Sequence, residues 1–151
     1  MKKLVCLIVL LSVSAFAAPV VKSITLRDNK NLIGNRRIPH SQLAPEEVAL
    51  KNAVAFVLYD WAAYSETLPA DQAAKWKNKK VTPGQQRTRV QSLKVNHQYT
   101  VISAEQKTNA SKPATATVIV EERIAKAVLK YKLTLQKTPA GWVVVTFDVM
   151  K

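Results

Sequence analysis

The sequence is poor in the residues that most simple chemistries need. Its one cysteine, Cys6, lies in an N-terminal apolar stretch. The chain beyond it has none, which excludes disulfides, thiol catalysis and thiolate metal sites there. The glycines are Gly34, Gly84 and Gly141 alone, too few and too scattered for a glycine-rich phosphate loop. With His40 and His97 the only histidines, a zinc site would need carboxylates, and the acidic residues form no suitable cluster. No metal and no cofactor is therefore expected. Acids are short overall: 10 Asp and Glu stand against 23 Lys and Arg, a formal charge of +13 over 151 residues. Long apolar runs are missing except at the extreme N-terminus, and 48% hydrophobic residues is too many for a disordered chain. Disordered, collagenous and polytopic membrane classes are excluded, and the length has room for one domain.

The apolar run reads as an address. Met1-Lys2-Lys3 is a cationic start, the stretch 4–13 is almost unbroken apolar sequence, and Ala15 and Ala17 place small residues before a cleavage point at Ala18. The apolar segment is shorter than the ~20 residues a membrane-spanning helix needs. A secretory signal peptide over 1–17 and a periplasmic location follow as expectations. Residues 18–43 form an extended basic stretch, in which Val20, Val21, Ile24 and Leu26 have the makings of a strand or sheet edge.

A domain is expected over 44–151. Pro45 suits a first helical position, with Glu46 and Glu47 on the positive end of the helix dipole. The stretch 48–64 lacks Gly and Pro, and Leu50, Val54, Val57, Leu58 and Trp61 keep helical spacing. This predicts one long apolar helix lying on a sheet. A short helix is predicted over 70–78, and Thr82-Pro83-Gly84 reads as a turn. Period-2 alternation then dominates. Leu93, Val95, His97, Tyr99 and Val101 share one parity, as do Ala114, Ala116, Val118 and Val120, and again Ala127, Leu129, Tyr131, Leu133 and Leu135. Thr138-Pro139-Ala140-Gly141 turns the chain into a final strand from Trp142. The prediction is an α+β domain, a long helix and a short one on a curved antiparallel sheet of about four strands.

This helix-first, strands-last order, with Tyr131-Lys132-Leu133-Thr134-Leu135 before a Gly-aromatic turn and Val143-Val144-Val145, resembles the nuclear transport factor 2-like (cystatin-like) superfamily. Thr138-Pro139-Ala140-Gly141-Trp142 and Val145-Thr146-Phe147 are also loosely similar to the periplasmic domains of the type IV secretion inner-membrane assembly factor. The resemblance implies a cone, a long helix packed into a strongly bent sheet. Those factors begin with a cytoplasmic tail and a full transmembrane helix, whereas this chain begins with a signal-like segment.

Enzymes of that superfamily use polar residues inside the cone, often an Asp–His pair. The resemblance implies Asp60 and His97 as such a pair, with Tyr64 and Tyr99 as orienting hydroxyls. Against it stands a plainer reading: Asp60 on an exposed helix flank, His97 a half-buried strand residue, and Glu121-Glu122 a charge pair at a strand end. The surface carries a stronger signal. No acid lies between Asp71 and Glu105, while Lys75, Lys77, Lys79, Lys80, Arg87, Arg89 and Lys94 do, with Trp76 among them. Such a stretch meets a partner protein, anionic headgroups or, with an aromatic to stack a base, nucleic acid. A solvated rim with Trp76 turned into the core, or a surface for an envelope protein or a second copy, comes first, an anionic membrane surface second and nucleic acid last. Trp142, Val144 and Met150 share a parity and extend one apolar face of the last strand for such contacts. The expectation is a non-enzymatic binding or assembly module of the envelope, a component of a type IV secretion or conjugation apparatus. Its rivals are a small-molecule binder or enzyme using the cone interior, and a binder of anionic surfaces.

Overall fold

The computed structural model describes residues 20–26, 38–93 and 97–151; the signal-like segment and Lys94 lie outside them. Where the sequence alternates, the chain is strand. β2 (His97–Asn109), β3 (Lys112–Ile124), β4 (Ala127–Thr138) and β5 (Gly141–Met150) form a meander, each antiparallel to the next. The N-terminal stretch adds β1 (Ser23–Thr25) beside β2, giving an antiparallel sheet in the order β1-β2-β3-β4-β5. Ile24, Leu26 and Leu43 join the buried core, so the packed structure reaches back before residue 44.

Helix α1 (Pro45–Val57) begins as its sequence demands, with Pro45 in the first turn beside Glu46 and Glu47. Glu47 is buried: one carboxylate oxygen accepts from the Ala44 amide, the other from Val21 N–H at 3.1 Å. One side chain thus closes the helix N-terminus and ties the β1 segment to it. Val48, Ala49, Leu50, Ala53 and Val54 pack against Val118, Val120, Leu133, Leu135 and Val144. Each fully buried Val or Leu contributes about 1.5–3 kcal/mol.

The expected single helix over 48–64 is two helices. Tyr59 turns left-handed at φ 58°, and Asp60 caps a new helix, α2 (Trp61–Glu66), accepting a hydrogen bond from Ala63 N–H at 3.1 Å. The apolar pattern runs through the break because Trp61 and Tyr64 pack against Phe56 and Trp76. α3 (Ala70–Lys77) follows, and the expected turn at Thr82-Pro83-Gly84 opens a further helix, α4 (Pro83–Ser92). There Thr82 and Gln85 cap each other reciprocally, and Pro83 takes the first turn, where its missing N–H costs nothing. The described residues thus form an α+β arrangement of four α-helices and an open five-stranded antiparallel sheet.

Two irregularities set which residues share a face. Ile102 is an extra residue in β2, between Val101 (opposite Val120) and Ser103 (opposite Ile119). In β5, Thr146 lies opposite Thr134 and Val144 opposite Leu135, leaving Val145 extra. Such bulges bend a strand and reset its alternation. Trp142 and Val144 therefore face α1 and are buried, while Met150, opposite Lys130, is exposed on the other face; the three do not form one apolar surface. At the β4–β5 turn Gly141 sits at φ +130°, and a Cβ there would stand 2.9 Å from the His40 ring and 3.0 Å from its carbonyl oxygen.

Candidate functional site

Strand register builds a polar cluster on the helix-bearing face of the sheet. Tyr99 lies opposite Glu122, and Glu122 opposite Leu129, in one row across three strands. His97 and Tyr131 stand one step diagonally away, within reach of long side chains. Glu122 is 5% exposed and is the hub. One carboxylate oxygen accepts from His97 Nε2 at 2.5 Å and from the Tyr99 hydroxyl at 2.5 Å. The other accepts from the Tyr131 hydroxyl. The His97 ring stacks on Tyr99 with centroids 5.1 Å apart.

Burial by itself would raise the Glu122 pKa, but hydrogen bonds from His97, Tyr131 and Tyr99 outweigh it and hold the carboxyl at about 2. Burial, followed by donation to that carboxylate, pushes both phenols well above the ordinary tyrosine range. An ionised carboxylate only accepts, so His97 Nε2 carries the hydrogen; Nδ1 is buried with no hydrogen-bond partner among the described residues.

A cavity of about 290 Å³ opens beside this hub. Its polar wall is Asn52, Tyr64, Tyr99, Glu122 and Tyr131. Ala53, Phe56, Val57 and Phe147 complete the lining with apolar surface. The cavity lies where α1 ends: Phe56 and Phe147 are each 45% exposed at its rim. Leu129 and Val149 continue an exposed apolar surface along the same sheet face.

The residues expected to work together are separated in part. Tyr64 and Tyr99 line the cavity, and His97 stands behind Glu122. Asp60 is the α2 cap, so the carboxylate paired with His97 is Glu122, not Asp60. Glu122 is likewise no strand-end charge pair with its neighbour. Glu121 lies on the opposite face and pairs with Arg123 at 3.0 Å, while Glu122 continues the inward parity of Val118 and Val120. That parity was the signal for it.

The basic stretch is partly spent within the fold. Phe56, Trp61, Tyr64 and Trp76 pack in mutual ring contact, and the Lys79 ammonium lies 4.8 Å from the Trp61 ring centroid and 4.5 Å from that of Trp76. Arg89 lies over Tyr59 and donates from Nε to the Val57 carbonyl at 3.0 Å, closing the end of α1. Lys75, Lys77, Lys80 and Arg87 are exposed. Trp142 offers no contact surface: it is buried, its carbonyl accepts from His40 Nε2 at 2.9 Å, and Lys137 covers its ring. Among the described residues, no three His, Cys, Asp or Glu side chains are grouped to hold a metal ion.

No protein-family model matches the chain, and neither a curated protein nor a solved structure shows significant similarity to it.

Proposed function

We propose that this protein is a secreted, non-enzymatic binding module of the periplasm, a cystatin-like cone whose ligand site is the cavity at the end of α1. The observation that carries this reading is the pairing of that cavity, of about 290 Å³, with a buried carboxylate held by three hydrogen bonds that lower its pKa. A general base needs a pKa near its working pH. At about 2, Glu122 has almost no affinity for a substrate proton, and the phenols beside it hold theirs. The cluster suits fixing a ligand rather than moving protons. A half-open, mostly apolar space with a few convergent polar groups is the usual form of a small-molecule site.

The test is native mass spectrometry of the processed protein purified from periplasmic extract. A small-molecule mass adduct that disappears on denaturation supports the reading. A ligand-free protein whose melting temperature no small-molecule library shifts overturns it.

A second reading rests on β5. Its Val144 amide donates to the Thr67 carbonyl at 2.7 Å, but beyond that point the strand is the outer edge of the sheet, with Phe147, Val149 and Met150 exposed. Open edges template strand addition. This is the surface through which an assembly role in a type IV secretion or conjugation apparatus would act. A photo-crosslinker at Val149, used in cells, supports that role by capturing a secretion-channel subunit or a second copy. A chain that stays uncrosslinked contradicts it.

A further inference from the structure

We propose that the cavity is selective for a small free amine, with an ammonium head against Glu122 and an apolar or aromatic body between Phe56 and Phe147. The proposal rests on the cavity being a ligand site and adds which chemistry it takes.

The hydrogens at the hub are already given away within the protein. Tyr99 and Tyr131 both give their hydroxyl hydrogen to Glu122, and His97 gives its Nε2 hydrogen to the same carboxylate. Asn52 gives an amide hydrogen to Thr67 Oγ1 at 2.8 Å. The donors around the hub are therefore committed within the protein. What they leave over is acceptor capacity. A carboxylate has about four acceptor positions, and three here are filled, leaving one on the oxygen that Tyr131 approaches. The two phenol oxygens keep lone pairs as well. Tyr64, whose oxygen takes a hydrogen bond from Asn52, keeps one hydrogen to give. A ligand group with several hydrogens satisfies the Glu122 end; one with only lone pairs meets no donor there and leaves buried acceptors unpaired.

The charged lining is a carboxylate. Among the described residues no Lys or Arg lines the cavity, although the chain as a whole carries +13 and the Arg89 charge reaches Tyr99. Glu122 is thus the one carboxylate among the described residues of the lining, inside a positive protein. Its walls include the rings of Phe56, Tyr64, Tyr131 and Phe147, and ring faces attract cations. The volume suits one small organic molecule.

The experiment is calorimetric titration of the processed wild-type chain with three probes of one shape: 2-phenylethylamine, 2-phenylethanol and 3-phenylpropanoate. The amine is expected to bind at least about tenfold more tightly than the alcohol, as a charge-assisted hydrogen bond would give, and the carboxylate most weakly. Glu122→Gln keeps the shape and should bring the amine to within about threefold of the alcohol. Raising salt from about 50 to about 300 mM should leave amine affinity unchanged or increase it, because the buried attraction is poorly screened while repulsion from the positive surface is. Ring-proton shifts of Tyr131 and Phe147 on adding the amine to wild type give a readout that does not depend on the variant folding.

A carboxylate that binds as well as the amine, or an amine preference that survives Glu122→Gln, overturns the amine assignment and leaves the cavity a ligand site. Tighter binding of Nα-acetyl-lysine methylamide than of 2-phenylethylamine overturns the free amine in favour of a protein side chain. Failure of every probe, together with a ligand-free native mass, overturns the ligand site itself.

Discussion

The helix-bearing face of the sheet has two halves built by the same strands with the same alternation. Under α1 lie Val118, Val120, Leu133 and Leu135, all fully buried and apolar. Past the end of α1, the next inward positions are Glu122, Tyr131 and Leu129, then Phe147 and Val149 on β5. Strand parity decides only which way a side chain points. Whether that direction means core or site depends on how far the helix reaches, and α1 stops at Val57 because Tyr59 and Asp60 turn the chain away. A buried carboxylate is tolerable in the second half because three donors surround it; in the first half it would find none.

The covered half is the more sensitive to truncation. Leu133→Ala should cost about 3–4 kcal/mol, since the packed surroundings collapse poorly into the space left; urea unfolding measures it. In the open half, Glu122→Gln should cost on the order of 2–3 kcal/mol at neutral pH. The sign follows from the carboxyl pKa, lowered in the folded chain from the ordinary 4.5 to about 2. The Glu122 contribution is complete above the unfolded value and is lost as pH falls from 4.5 towards 2. Wild type should therefore lose stability through that window, and the Gln variant should lose less. Asp60→Ala removes the cap that ends the cover and should cost about 1 kcal/mol, read from thermal unfolding. The smallest effect is a gain. Ala125, in the β3–β4 turn at the open end, sits at φ 50°, and Ala125→Gly should add about 0.5–1 kcal/mol in the same assay.

Much of this division was legible in the sequence, though not the boundary itself. The strand faces followed from alternation, and α1 began where Pro45, Glu46 and Glu47 said it should. The break at Tyr59 was hidden because Trp61 and Tyr64 continue the apolar spacing into a second packing surface. Asp60 was the available stop signal, an N-cap residue within an apolar run. The same kind of signal preceded α4: Thr82, Pro83 and Gln85 spell a capping box, which the Pro-Gly pair disguised as a turn. Glu122 was readable from parity alone, since it follows Val118 and Val120 at two-residue steps. What no pattern along the chain revealed was that His97, Tyr99 and Tyr131 would meet it. That convergence depends on the register of three strands, set by turns and bulges far from the hub.

Ala53 separates a ligand site past α1 from a mere packing defect. This residue lines the cavity from the helix and is 6% exposed. Ala53→Leu should fill part of the space without strain, so its thermal stability should equal or exceed that of wild type. Its affinity for 2-phenylethylamine in calorimetry should fall at least about tenfold. A variant destabilised by more than about 1 kcal/mol, as overpacking of a filled core produces, or one that binds the amine undiminished, would show that the space is no such site.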